Sequence, residues 1–183
     1  MYHVKNDKRS QKSAELAVDA MDECLSVHGF ENLTITELCS VSTIGRATFY
    51  RLFDTLEDVI AYKCELFALE FSNEIPGNDI KTIQLNFFKK WMSNIEFLKL
   101  IVSLRRTDII FDCHRNHLEQ LRPYFMKLGM GEYITDYHIV LLTNTLVGAL
   151  LVWCEHGCKE SAEEVIASCS KAMKDIGCLC RVA

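Results

Sequence analysis

Two prolines and eight glycines are the only strong backbone breakers in 183 residues. So few interruptions exclude a collagen-like or low-complexity chain. No stretch alternates apolar and polar residues with a period of two, so no sheet is expected. A phosphate-cradling glycine loop is lacking, as is a Gly-x-Ser-x-Gly elbow. The carboxylates are dispersed along helical faces, where i,i+4 pairing is their simplest use. No nucleophile is marked with its base, so neither an enzyme nor a bound cofactor is expected.

The nine cysteines form no CxxC pair. Their odd number, with N-terminal residues that do not read as a secretory signal, excludes a disulfide framework. Reduced thiols in a cytoplasmic protein are the expectation. Cys113, His114 and His117, and further on Cys154, His156, Cys158, Cys178 and Cys180, are donors suited to zinc or copper. Their spacing is not that of a metal site, so a thiol or metal sensor is only an alternative. No charge-free apolar run reaches the roughly 18 residues of a membrane span. The nearest, 139–154, carries Thr143, Asn144 and Thr145, and no membrane partner is expected. The net charge of −5 argues against indiscriminate nucleic-acid binding but leaves room for local basic patches.

What the chain has in quantity is helical periodicity. A polar segment, 1–10, is expected to be frayed; the basic cluster Lys5, Lys8, Arg9 and Lys12 reads either as a solvated terminus or as an arm touching phosphates or the minor groove. A helix over 10–27 follows, with Leu16, Ala17, Ala20, Met21, Cys24 and Leu25 as its inner stripe and Gly29 as its C′ residue. A long helix over 55–73 opens with Thr55 and Asp58 as a capping box. Pro76, Gly77 and Asn78 mark the clearest break. Helices are then expected over 80–93, 95–105 and 108–128, the last kinked or restarted at Pro123. Two long helices, 133–156 and 161–176, complete the chain. Ser161 and Glu164 cap the second.

Residues 34–53 read as two short helices joined by a tight turn. Thr34 and Glu37 fit a capping box. Ile35, Leu38 and Cys39 give one apolar face, and Ile44 plugs the turn. Gly45 caps a second helix whose inner side is Phe49, Leu52 and Phe53. Its other side shows Arg46, Thr48, Tyr50 and Arg51, a set suited to phosphates and to base edges in a major groove.

This segment resembles the helix-turn-helix of the TetR family of bacterial transcriptional regulators. The matching pattern is Leu38-Cys39, Ser42-Thr43, Ile44, Gly45, then Arg46 through Tyr50 to Phe53, followed by the link 54–59. The resemblance is carried by about the first 60 residues. It implies that Arg46, Thr48 and Arg51 face the groove of double-stranded operator DNA and that Tyr50 reaches a phosphate. Thr34, Thr36 and Gly45 lie at helix starts on the same side. The chain departs from the pattern at Ser42-Thr43 (usually Ala-Gly), at Gly45 (usually Ser) and at Leu56 (usually basic). These departures keep open a second reading, an adaptor that contacts protein partners through the same small domain.

The resulting expectation is an all-α fold of about nine helices. It comprises a helix-turn-helix domain over 1–55 and a helical effector-binding and dimerisation bundle over 56–183. The second half is rich in aromatics, which can line a pocket between helices. The resemblance implies a small-molecule effector there, with Phe67, Phe87, Trp91, Arg105, Phe111, His114, His117, Tyr137 and Asn144 as candidate contacts. The helix around 139–154 is apolar on nearly all sides, so it needs more cover than its own chain supplies. Leu142, Leu146 and Ala149, with Val165, Cys169 and Met173, are candidates for a two-fold four-helix interface. The resemblance likewise implies a homodimer.

Overall fold

The computed structural model describes residues 2–75, 79–129 and 131–179. The expected break at 76–78, and Cys180, lie outside the described residues. Among them the fold is all-α: ten α-helices, two short 3-10 turns and no strand. The chain divides into two compact units, Met1–Leu66 and Phe67–Ala183. The division falls inside a helix, α4 (Leu56–Ser72), eleven residues beyond the expected cut after residue 55.

The first unit holds α1 (Lys8–Val27), α2 (Ile35–Ser42), α3 (Arg46–Leu52) and the start of α4. Asp7 caps α1 by accepting from the Ser10 N–H at 2.8 Å. Ala14, Ala17, Ala20, Met21 and Cys24 bury one stripe of α1, while Leu16 and Leu25 are only half-buried. Gly29 is not the left-handed terminator expected; its φ is −63°. His28 ends the helix instead, its backbone N–H and its Nδ1 both bonding Cys24 O. Leu38, Phe49, Leu52, Phe53, Val59 and Ile60 complete the core. Phe53 sits edge-on to Tyr62 at 5.9 Å.

Residues 2–7 are not frayed. The Tyr2 ring packs edge-on against Tyr62 at 5.3 Å. The His3 N–H donates to Leu52 O at 2.7 Å, and the Lys5 N–H donates to Ser10 Oγ at 3.1 Å. One aromatic anchor and the cap of α1 therefore outweigh the polar composition of this arm.

The second unit holds α5 (Ile80–Met92), α6 (Ile95–Ser103), α7 (Thr107–Leu118), α8 (Arg122–Lys127), α9 (Glu132–Glu155) and α10 (Ala162–Leu179). Asp79 caps α5 through the Thr82 N–H. The expected helix 108–128 is broken by a 3-10 turn at Glu119–Leu121, and Pro123 stands in the first turn of α8. Proline is tolerated there because the first amides of a helix have no internal acceptor. This restart, expected at Pro123 as a kink or a restart, makes ten helices against the expected count of about nine. Ser161 and Glu164 form a reciprocal capping box. Helix α9 packs on α5, α7, α8 and α10, burying Ile139, Leu146, Val147, Leu150 and Trp153. Its stretch Thr135–Glu155 is long and apolar enough to cross a membrane by length and composition alone. The buried hydroxyls of Thr135 and Thr143 donate back to Gly131 O and Ile139 O.

Candidate functional site

In the first unit, α2 is capped by Thr34, whose hydroxyl accepts from the Glu37 N–H at 3.2 Å. Glu37 does not return the bond as a capping box requires. Its carboxylate turns to His28 Nε2 at 2.6 Å. A true reciprocal box forms at Thr55 and Asp58. Between α2 and α3, Ser42 is buried and donates to Leu38 O, and Ile44 is buried beside it. Thr43 takes the left-handed conformation, φ 57°. A residue with a branched Cβ holds that geometry at a cost of roughly 1–2 kcal/mol.

The turn delivers α3 with two distinct sides. Phe49, Leu52 and Phe53 are almost fully buried, each worth about 1.5–3 kcal/mol as buried apolar area. Arg46, Tyr50 and Arg51 are exposed, Tyr50 by 55 %, and Thr48 is half-buried. Arg46 Nη2 donates to Thr36 Oγ1, which ties α3 to α2 on the outward side. Thr34, Thr36 and Gly45 are also exposed. The result is a shallow polar surface with two guanidinium groups, one phenol and three hydroxyls. The inside–outside alternation of this short helix follows from Phe49, Leu52 and Phe53 alone.

In the second unit the candidate effector contacts separate into groups. Phe67, Phe87, Trp91 and His114 come together. The Phe67 and Trp91 rings lie 4.6 Å apart, and Phe87 and His114 4.9 Å apart. Phe71 and Phe97 extend the cluster. Lys90 Nζ lies 4.9 Å above the Phe67 ring and pairs with Glu70 at 3.0 Å. His114 is only 1 % exposed, and Trp91 Nε1–H donates to its Nε2 at 2.9 Å. That bond makes Nε2 an acceptor, so the proton sits on Nδ1. Nδ1 has no partner. Burial holds the imidazole neutral, its pKa lowered to about 3. The ring nest thus contains one buried, unspent hydrogen-bond donor, which nothing in the spacing of Trp91 and His114 announces.

Other expected contacts lie elsewhere. Arg105, Tyr137 and Asn144 are exposed, and Phe111 and His117 are half-buried. Asn144 donates to Val140 O and lines a groove between α9 and α10. This groove, about 470 Å³, is walled by Gly148, Ala149, Val152, Val165, Cys169 and Met173, among others. Leu146 does not reach it; at 2 % exposure it belongs to the core of the unit. Leu142 is half-buried and is not part of the groove either.

Among the described residues no group of three His, Cys, Asp or Glu is placed to hold a metal. The Cys154 thiol is pushed up to about 11 by burial and by Cys158 beside it, which disfavours the thiolate a redox sensor uses.

No protein-family model matches the chain, and no curated protein matches it. Its fold is similar to that of Lin0861 from Listeria innocua, known from a crystal structure. The TM-score is 0.69 at 17 % identity, over 95 % of this chain and 96 % of that one. At that identity the likeness concerns the fold alone.

Proposed function

We propose that this protein is a DNA-binding transcriptional regulator of the TetR type, a repressor that acts as a homodimer and responds to a small molecule. One observation carries the reading. A seven-residue helix is seated on three buried apolar side chains and turns Arg46, Thr48, Tyr50 and Arg51 outward after a tight turn. Arginine offers a two-pronged donor to guanine, while tyrosine and threonine serve phosphates. A single short helix reads few base pairs, so a two-fold pair on a palindromic site gives the reading its length. The groove between α9 and α10 is the surface proposed for pairing. The ring nest around His114 is proposed as the effector's end of the molecule. An acceptor on the effector would satisfy Nδ1–H, a bond of about 0.5–1.5 kcal/mol net.

The test is DNA binding by the native chain and by Arg46→Ala and Tyr50→Ala, against the DNA flanking its own gene. Each substitution is expected to weaken binding by about 5- to 150-fold, the equivalent of about 1–3 kcal/mol per contact. Unaltered binding by both variants removes this face from the proposal.

A further inference from the structure

Beside α3 lies a hollow of about 220 Å³, walled by His3, Lys5, Asp7, Arg9, Ser10, Arg51 and Leu52. It joins two stretches of chain far apart in sequence. Arg51 and Leu52 come from the last turn of α3. Arg9 comes from the first turn of α1, and His3 and Lys5 come from the arm before it. The arm is fixed there by the His3 N–H bond to Leu52 O and by Tyr2 against Tyr62. Its backbone is fixed again by the Lys5 N–H bond to Ser10 Oγ.

The charge in this hollow is unbalanced. Lys5, Arg9 and Arg51 are exposed cations, and among the described residues no carboxylate pairs with any of them. This happens in a unit that is acidic as a whole, with seven Lys and Arg against eleven Asp and Glu over residues 1–66. Other cations of the unit do find acids, as Lys63 does at Asp22 and Lys12 at Glu15. Asp7 is the one carboxylate in the wall, and it is occupied in capping α1 through the Ser10 N–H. Three cations against that one carboxylate leave the hollow with an excess of positive charge, so the arrangement favours an anion. The volume equals that of about seven waters, at roughly 30 Å³ each. That is room for one phosphate group with part of its hydration.

We propose that this hollow holds one phosphodiester of a duplex backbone, with Lys5 and Arg9 as positioning residues that fix where α3 meets the duplex. The inference rests on the DNA-binding reading and deepens it. It assigns to the arm a sequence-independent contact, separate from the base-facing residues of α3. Such a contact sets register on the duplex and carries no sequence information itself.

The experiment needs no operator, because backbone contacts are made to any sequence. A fluorescent mixed-sequence duplex is titrated with the native chain, with the Lys5→Gln/Arg9→Gln variant and with the charge-keeping Lys5→Arg/Arg9→Lys variant, from 50 to 200 mM KCl. Each backbone phosphate neutralised contributes about 0.9 to the slope of log K against log salt. Loss of about one such increment in the Gln variant and its retention in the charge-keeping variant are expected, with unchanged melting temperatures. Equal slopes in all three proteins overturn the inference while leaving the DNA reading intact. If the native chain binds no duplex even at 50 mM KCl, the reading itself fails. Inorganic phosphate is titrated in parallel, followed by the melting temperature. Stabilisation of the native chain but not of the Gln variant, without any duplex binding, makes the hollow a free-anion site and overturns the duplex as its occupant.

Discussion

Thr43 is the residue whose identity and conformation disagree most. It closes the turn at φ 57°, where glycine is at ease and a β-branched side chain is not. Thr43→Gly relieves about 1–2 kcal/mol of strain and restores about 0.5–1 kcal/mol of unfolded-chain entropy. A net gain of about 0.5–1 kcal/mol is expected, read as a melting midpoint higher by about 2 °C. His114 gives the second prediction at this scale. Its folded pKa of about 3 lies below the ordinary 6.5. The unfolded chain therefore binds a proton that the folded chain refuses between those values. Stability is full above pH 6.5 and falls as pH drops toward 3, by up to about 1.4 kcal/mol per pH unit. His114→Gln keeps an acceptor for Trp91 and removes the titration. Its acid limb of melting temperature against pH is expected to be flatter than that of the native chain. The resemblance points to Thr43, which stands where the helix-turn-helix pattern usually has glycine. The sequence is silent on the partnership of His114 with Trp91, since the two lie 23 residues apart on different helices, α7 and α5.

At the scale of the element, α3 and α9 are opposites. In α3 the apolar positions fall on one side, so spacing alone separates what is buried from what is presented. In α9 apolar residues occur all round, and spacing gives no direction. That is why Leu146 reads as a surface residue and is found in the core. The groove face became visible only with the packing of α5, α7 and α10 in place. Gly148 lies on it, and a Cβ added there meets nothing within 4 Å of the same chain. Within one chain, then, Gly148→Ala is harmless and gains up to about 1 kcal/mol of helix propensity. Gly148→Leu is expected to prevent the close approach of a second copy. Light scattering should give the mass of one chain for that variant and of two for the native protein. A single-chain mass for both would remove this groove as the pairing surface. The basic residues of the arm were legible, but its docking was not: a polar segment gives no hint that its second residue will find an aromatic ring sixty positions away.

For the molecule as a whole, the proposal couples pairing to DNA binding. Two copies contact two half-sites, and losing the pair loses the second contact. Gly148→Leu should therefore bind an operator at least 10-fold more weakly than the native chain while keeping its affinity for a single half-site. Equal operator affinities would sever that coupling. The two compact units also share α4, which runs unbroken from Leu56 to Ser72 across the division after Leu66. Anyone shortening the gene to obtain the first unit by itself meets a dilemma. A stop codon after residue 66 leaves the final carbonyls of a severed helix without acceptance from a following turn. One after residue 72 keeps that turn but strips the cover from Phe71, which is 1 % exposed, and bares the Phe67 ring beside it. The first unit is one of structure without being one of expression.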